Sequence, residues 1–287
     1  MRIRFIPWYG GKIRVIFELL CMVPLACTAW YEPFMGSAAV TLNKSRHEVE
    51  VINDLDRGLV KLYSLMADRD TGQELLERLL KLPYSESEFV RAKRAYANGF
   101  KNVDRFKQAE LTFVLVTQSF NATRQTWRKG ISQREYTHSL EKNLPEVYKR
   151  LQGVRVYNMD ALALIGRVKD NPRTFLLLDP PYCHELRGRG ALSVYAHEMD
   201  RRKQISLLEL IRDAKCYILL CGYRAKNGHD LYDQYLLPCG WKHYKLADLI
   251  KACQTTKVKD VGEEWVWLNY DPPSISKYFI NHSSTEQ

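Results

Sequence analysis

Apolar and polar residues follow two different patterns along the chain, and the first appears near the N-terminus. A strand-like segment, CTAWYE, leads through the turn PFMGS into the helix-like AAVTLNKS and then the strand-like HEVEVIND. This order predicts a β-α-β unit whose strands end at Glu32 and Asp54. In open α/β sheets ligands gather at the carboxyl ends of the strands, so both carboxylates are candidate binding groups.

The middle of the chain has a helical pattern instead. Between about residue 55 and residue 150, apolar residues recur every three or four positions, as in GQELLERLLKL and ESEFVRAKRAYANGF. Basic residues form two groups in this region: Arg91, Lys93, Arg94, Lys101, Arg105 and Lys107, then Arg124, Arg128, Lys129 and Arg134. A solvated helix face explains the first group as well as a binding surface does.

Strand-like segments return after Gly153. They are VRVYNMD, TFLLLDPPY, KCYILLCGY, WKHYKLA and EEWVWLNYD, with the helix-like RRKQISLLELIRDA between two of them. We therefore predict an α/β fold with a mixed, mostly parallel sheet that is split by a helical insertion. The segment WVWLNY is expected to form an antiparallel strand near the end of the chain.

Composition and charge narrow the class of protein. The chain has 287 residues, of which 46% are hydrophobic and 26% charged, as is ordinary for a soluble globular protein. Its formal net charge of +10 favours a polyanionic partner, and nucleic acid is the leading candidate.

The cysteines and histidines give no sign of a disulfide framework or a metal site. The seven cysteines form no CxxC pair, so we expect reduced thiols and a cytoplasmic protein. The seven histidines lack the spacing of metal ligands, and no metal is expected. The apolar stretch around residues 15–26 is broken by Lys12, Arg14, Glu18 and Pro24, so we expect neither a signal peptide nor a membrane span.

The segment TFLLLDPPY combines a buried-strand pattern with a carboxylate and two prolines. Asp179 is expected at the mouth of the strand, where the prolines make the following loop rigid. That geometry suits a preorganised active site.

Three motifs give this chain its resemblance to a known family. They are Trp8-Tyr9-Gly10-Gly11-Lys12, Glu32-Pro33-Phe34-Met35-Gly36 and Asp179-Pro180-Pro181-Tyr182, with the helical insertion between the second and the third. In these motifs and their order the chain resembles the D12 class, or Dam-like, adenine-specific DNA methyltransferases. It departs from the family pattern at Ala38, where the turn usually has a second glycine.

The resemblance implies a Rossmann-like class I methyltransferase sheet that binds S-adenosylmethionine. The implied cofactor-binding residues are Trp8, Gly10, Gly11, Lys12, Glu32, Phe34, Gly36, Asp54 and Asp179. Glycine permits a close approach of the cofactor to the backbone, and an acidic residue at a strand end can accept hydrogen bonds from ribose hydroxyls.

The implied reaction is methyl transfer to the amino group of a flipped-out adenine in double-stranded DNA. Asp179 and Pro180 would accept the two N–H groups of the adenine, and Tyr182 would hold the flipped base. Within the segment SFNATRQTWRKG, the candidates for DNA contact are Asn121, Arg124, Arg128 and Lys129.

The predicted organisation follows from the same motifs. Residues 1–56 and 151–272 would form the cofactor-binding catalytic domain, residues 57–150 the DNA target-recognition domain, and residues 273–287 a flexible tail. A restriction endonuclease would be a partner if the chain belongs to a restriction-modification system. The sequence leaves the recognised DNA site and the oligomeric state open.

Three alternatives remain at this point. Cytosine N4 could accept the methyl group, because the same two acceptors would serve a cytosine amino group. RNA is a further possible substrate, although no RNA-binding module is visible. A DNA-binding protein with the same fold but no activity is the third alternative, and Ala38 is the one hint in its favour.

Overall fold

Seven strands form one sheet in the order β3-β2-β1-β4-β5-β7-β6. This is seen in a computed structural model, which describes residues 2–182, 197–225, 230–250 and 261–278. The strands are β1 (Ala29–Glu32), β2 (Val49–Asn53), β3 (Arg155–Tyr157), β4 (Thr174–Leu178), β5 (Tyr217–Tyr223), β6 (Lys242–Ile250) and β7 (Val261–Leu268).

The pairing of the strands is mixed. Strand β4 is parallel to β1 on one side and to β5 on the other, whereas β7 is antiparallel to both β5 and β6. The predicted antiparallel strand at WVWLNY is therefore confirmed. Together with the helices, the sheet confirms the predicted α/β class.

Ten α-helices lie in the described part of the chain. They are α1 (Ile16–Cys21), α2 (Ala39–Asn43), α3 (Arg57–Ala67), α4 (Arg69–Leu80), α5 (Glu86–Ala97), α6 (Arg105–Thr117), α7 (Gln133–Leu151), α8 (Ala161–Val168), α9 (Arg201–Ile211) and α10 (Leu231–Leu236). Helices α3 to α7 fill the predicted insertion, whose helical character is confirmed. None of the described helices is long and apolar enough to cross a membrane.

Local sequence explains where the helices of the insertion begin. Each follows an Asp or Ser whose side chain accepts a hydrogen bond from a backbone N–H of the first turn, and such a cap satisfies a donor that has no partner within the helix. The five capping residues are Asp56, Asp68, Ser85, Asp104 and Ser132.

The chain divides into two compact units. The first contains the N-terminal segment up to Ile13 together with Met35–Lys44 and Ile52–Asn158, and its core is built around residues such as Tyr63 and Phe113. The second contains Arg14–Phe34, Ser45–Val51 and the chain from Met159 onward, with a core formed by the buried residues of β4, β5, β7 and α9. This division rests on compactness, and the functional division at residues 56 and 151 stays a prediction.

The predicted tail begins inside the described residues. A short 3-10 helix occupies Ser274–Tyr278, and residues 279–287 lie outside the described part of the chain.

Candidate active site

Asp54 follows the last residue of β2 in the first unit, where its carboxylate is held by two backbone donors. The Gly36 N–H donates to Oδ2 at 3.1 Å, and the Asp56 N–H donates to Oδ1 at 2.9 Å. Desolvation is the main cause that raises the pKa of Asp54 to about 6, because it outweighs these two hydrogen bonds. The Asp54 carboxylate, at the end of the second strand, is therefore oriented in part by a backbone N–H of the glycine turn.

Gly36 is required by its conformation and by its neighbour. Its φ of 45° lies in the left-handed region, and a Cβ at this position would lie 2.5 Å from Nε1 of Trp8. Contacts that close do not occur between real side chains, so the indole can lie there only because residue 36 has no side chain. The first and second sequence motifs are thus in contact within the first unit.

The first motif itself forms a tight turn. Gly10 has a φ of 72°, and the Gly11 N–H donates to the Trp8 carbonyl at 3.2 Å. Lys12 is buried, and its Nζ donates to the Gly10 carbonyl at 3.1 Å. Lys12, which is predicted to bind the cofactor, is therefore hydrogen-bonded to the backbone of its own turn.

Ala38, the departure from the family pattern, also has left-handed backbone. Its φ is 48° and its ψ is 31°, at the N-cap of α2, and the residue is fully buried. Left-handed geometry is disfavoured for a residue with a Cβ, which explains why glycine suits this position in the family.

Arg124 is engaged within the first unit. Its Nη1 lies 2.6 Å from Asp56 Oδ2 and donates to the Tyr96 hydroxyl at 2.8 Å, while its guanidinium lies 4.7 Å from the centre of the Trp8 ring. Desolvation raises the pKa of Asp56, but the charge and hydrogen bond of Arg124, together with hydrogen bonds from the Leu59 N–H and the Tyr96 hydroxyl, lower it, and the net shift is downward. The side chain of Arg124 is only 13% exposed.

The loop that carries Arg124 presents the other predicted DNA contacts to solvent. Residues 118–128, here called the recognition loop, are closed by hydrogen bonds from the Phe120 N–H to the Thr126 carbonyl and from the Arg128 N–H to the Gln118 carbonyl. The exposed candidates are Asn121 and Arg128 in the loop and Lys129 immediately after it.

The Asp179-Pro180-Pro181-Tyr182 motif lies in the second unit and follows β4, whose five residues are all buried. The Tyr182 hydroxyl donates to Oε1 of Glu264. Desolvation, followed by the charges of Asp179 and Glu264, raises the pKa of Tyr182 well above its usual value. A tyrosine hydroxyl is protonated at neutral pH in any case, and the raised pKa keeps this donor to Glu264 protonated at higher pH as well.

The buried Gln204 also binds the Asp179–Tyr182 motif, through a backbone carbonyl. Gln204 in α9 is fully buried, and its Nε2 donates to the Pro181 carbonyl at 2.7 Å. Its Oε1 accepts a hydrogen bond of 2.8 Å from the Tyr232 hydroxyl. The rigid loop expected from two prolines is thus also fixed by side-chain hydrogen bonds.

Groups that can bind a metal ion lie close together at the motif. Potential ligand atoms of Asp179, Cys221 and Glu264 lie within 4.8 Å of one another, close enough to hold a metal ion if one were bound. The expectation that the protein needs no metal stays a prediction.

Two more predicted cofactor residues lie in the second unit. Glu32 is the last residue of β1 and is 4% exposed, and Phe34 packs against the core of this unit. Their positions follow from the strand end and the turn that the sequence predicts, and their roles stay predictions.

An α/β sheet with carboxylates at its strand ends and a rigid Asp-Pro-Pro-Tyr loop defines a methyltransferase of the Rossmann-like class. A family model described as D12 class N6 adenine-specific DNA methyltransferase matches residues 8–251. The chain belongs to this family, as the three motifs predict. It is an enzyme that uses a methyl donor to methylate adenine N6 in DNA.

A curated relative agrees with this assignment. The chain is similar to the Type II methyltransferase M1.LlaDCHI of Lactococcus lactis subsp. cremoris, with 21% identity over 248 residues. The match covers 80% of this chain and 84% of that protein.

Four residues that support these groups were not singled out by sequence reasoning. Asp56 and Tyr96 contact Arg124, and Gln204 and Glu264 contact the loop after β4. Glu264 had a visible signal, because an acidic residue inside the apolar strand EEWVWLNY needs a buried partner. The other three look like ordinary polar residues in the sequence.

Proposed function

We propose that the chain is a site-specific methyltransferase that transfers the methyl group of S-adenosylmethionine to a flipped-out adenine in double-stranded DNA. The observation that carries this proposal is the rigid Asp179–Tyr182 loop at the end of a fully buried strand, held by Gln204 and Glu264. A preorganised loop of this kind can present fixed acceptors to a reacting amino group without reorganising during the reaction.

The residues of the first unit fit this cofactor. Each oxygen of Asp54 accepts one backbone N–H, and a carboxylate has capacity for further hydrogen bonds, such as those from two ribose hydroxyls. Lys12 would neutralise the cofactor carboxylate, and the turns at Gly10, Gly11 and Gly36 and the ring of Trp8 would shape the surface around it.

In the second unit we propose that Glu32, Phe34 and Asp179 serve the same cofactor. The Glu32 carboxylate would favour the positively charged sulfonium and amino end, since opposite charges attract strongly where water is excluded. When bound, S-adenosylmethionine supplies an electrophilic methyl group. Phe34 would shape the turn that follows β1.

Asp179 and Pro180 would prepare the adenine nitrogen. The lone pair of this nitrogen is delocalised into the ring, which makes it a poor nucleophile. If the Asp179 carboxylate and the Pro180 carbonyl each accept one N–H, the nitrogen becomes tetrahedral and its lone pair is localised for attack. The carboxylate also stabilises the positive charge that develops on the nitrogen.

Tyr182 would stabilise the extruded base. An adenine inside a duplex cannot reach these acceptors, and flipping it out costs a few kcal/mol. Stacking on an aromatic ring contributes about 1–3 kcal/mol per base, which offsets much of that cost.

Residues of the recognition loop and its flank would hold the DNA. Asn121, Arg128 and Lys129 are exposed and can reach phosphates or base edges. Arg124 lies in the same loop, and a contact from its guanidinium to DNA would compete with its ion pair to Asp56.

The name of the relative supports a proposal about the cellular context. Because M1.LlaDCHI is a Type II methyltransferase, we propose that this chain also belongs to a restriction-modification system in the cytoplasm, with a restriction endonuclease as its functional partner.

Mass spectrometry of nucleosides tests the reaction. Unmethylated DNA is incubated with the protein and S-adenosylmethionine, then digested and analysed. We expect N6-methyladenine, formed about 10²–10³-fold more slowly by Asp179→Ala, which should still bind DNA. The matched control is Asp213→Ala, which removes an exposed carboxylate outside the site and should not change the rate.

Other products would identify the alternatives. N4-methylcytosine would mean that the same acceptors serve the other base, and a product only on RNA would change the substrate. Full activity of Asp179→Ala would contradict the mechanism. An absence of both product and cofactor binding would indicate a DNA-binding protein without activity.

A further inference from the structure

Glu264 is a charged residue in a place where charge is costly. It lies in β7, is 1% exposed, and is followed along the strand by the buried residues Trp265 and Val266. A buried carboxylate is tolerated only when hydrogen bonds or opposite charges compensate for its lost hydration. One of its compensating partners is the Tyr182 hydroxyl, which donates to Oε1.

We propose that Glu264 is a positioning residue for Tyr182 and fixes the ring on which the flipped adenine stacks. This inference rests on the proposed function of Tyr182. The hydrogen bond holds the hydroxyl end of the Tyr182 side chain. Rotation of the ring about χ1 would break this bond, and the buried Glu264 carboxylate would lose this donor.

A second contact fixes the plane of the same ring. The rings of Tyr182 and Tyr223 are 4.8 Å apart with an angle of 68° between them, an edge-to-face arrangement. Tyr223 and Glu264 are paired residues of the antiparallel strands β5 and β7. The paired strands β5 and β7 therefore restrain Tyr182 at two points. Glu264 binds its hydroxyl, and the Tyr223 ring contacts its ring.

The backbone of the loop is restrained separately. Gln204 fixes the Pro181 carbonyl, which precedes Tyr182 directly in the chain. With the main chain held there, the orientation of the Tyr182 ring depends on its side-chain contacts. Glu264 is thus the polar group whose loss should alter base stacking while the loop itself stays in place.

A double-mutant cycle tests the proposal on the full-length protein. The variants are Tyr182→Phe, Glu264→Ala, Glu264→Gln and the combination of Tyr182→Phe with Glu264→Ala. The DNA probe carries 2-aminopurine at the methylated position, identified first by sequencing, since this base becomes fluorescent when it leaves the stack. The affinity for S-adenosylmethionine, kcat and KM for DNA are measured in parallel.

We expect Glu264→Ala to lower kcat about 10- to 100-fold and to change the 2-aminopurine signal of the protein–DNA complex, with little change in cofactor affinity. Glu264→Gln retains an acceptor and should restore kcat to within about threefold of the wild-type protein. Once Tyr182→Phe has removed the hydroxyl, adding Glu264→Ala should lower kcat by less than about twofold, because interacting residues are not additive.

The proposal would be overturned if the effects of Tyr182→Phe and Glu264→Ala on kcat were independent of each other. Losses that multiply in the double variant would show that Glu264 does not act through Tyr182. A fluorescence signal in Glu264→Ala that is unchanged from the wild-type complex would show the same. If Glu264→Ala does not fold, the cycle is run with Glu264→Met, which removes the acceptor but keeps the size of the side chain and must change little when added to Tyr182→Phe. A wild-type protein that methylates no DNA would overturn the proposed function, whereas an active protein with an additive cycle would overturn this inference alone.

Discussion

Arg124 and Asp56 form a largely buried ion pair, with Nη1 of the arginine 2.6 Å from Oδ2 of the aspartate. Asp56 also caps α3 through Oδ1, and its backbone N–H donates to Asp54. One residue therefore joins the recognition loop, the first helix of the insertion and the carboxylate proposed to bind the cofactor.

Loss of the Arg124 side chain should destabilise the first unit. Arg124→Ala leaves the Asp56 charge poorly compensated in a buried position, and we expect a loss of about 2–3 kcal/mol in the free energy of unfolding. Denaturant unfolding measures this change. Arg128→Ala is the control in the same loop, and its stability should stay within about 0.5 kcal/mol of the wild type because its side chain is exposed. Equal stability of the two variants would contradict the structural role of the ion pair.

For DNA binding, in contrast to stability, we expect the exposed residues Arg128 and Lys129 to matter. Arg128→Ala and Lys129→Ala each remove an exposed positive charge, so we expect weaker binding and a slope of log K against log salt concentration that is less negative by about one. Binding is measured by fluorescence anisotropy at several salt concentrations. The control is Arg167→Ala in α8, outside the insertion, which should leave the slope unchanged. An unchanged slope in both loop variants would place the DNA on another surface.

Cofactor affinity should depend on pH through Asp54. The free protein holds the pKa of this group at about 6, and hydrogen bonds from ribose hydroxyls favour the charged form, so the pKa should fall on binding. A group whose pKa is lower in the complex favours binding above its free-state pKa and loses that contribution as the pH decreases through it. We therefore expect the Kd for S-adenosylmethionine to rise below pH 6, by at most about tenfold per pH unit.

Isothermal titration calorimetry between pH 5 and 8 measures this dependence. The Asp54→Asn variant should bind more weakly at pH 7 and show a flatter profile, since it has no group that titrates at this position. A wild-type affinity that does not vary with pH would argue against Asp54 as the ribose acceptor.

Gly36 should tolerate no side chain, whereas Gly99 should. Both have a positive φ, but a Cβ at Gly36 would meet the Trp8 indole and a Cβ at Gly99 would meet no atom within 4 Å. We expect Gly36→Ala to lower the free energy of unfolding by about 2–4 kcal/mol and to weaken cofactor binding. Gly99→Ala should lose only about 1 kcal/mol, from backbone strain alone. Thermal unfolding and cofactor titration of the two variants separate the clash from the strain.

Much of the fold could be predicted because it depends on local patterns. The alternation around Glu32 and Asp54, the buried strand before Asp179 and the three- and four-residue spacing of residues 57–150 each correspond to elements that the structure contains. The sequence also predicts that β7 is antiparallel, and this is confirmed. The spacing of apolar residues predicts these elements because a segment tends to form the helix or strand that buries its apolar residues on one face.

The order of strands in the sheet and the partners of polar side chains could not be predicted in this way. Nothing near Arg124 in the sequence indicates that its guanidinium pairs with Asp56, 68 positions earlier, instead of remaining exposed as its neighbours do. Nothing near Tyr182 indicates that its hydroxyl meets Glu264, 82 positions later. Such contacts depend on how distant segments pack, and no local periodicity encodes that.

The sequence by itself determined the family and the reaction, because the motifs at Trp8, Glu32 and Asp179 are short, contiguous and chemically specific, and the residues assigned to the reaction stay predictions. The tertiary structure alone decided which of the charged residues are engaged inside the protein and which face solvent. It placed Gly36 against Trp8, paired Arg124 with Asp56 and brought the Glu264 carboxylate to the Tyr182 hydroxyl. The physical reason is that burial and hydrogen bonding are properties of segments brought together by folding, whereas a motif is a property of adjacent residues.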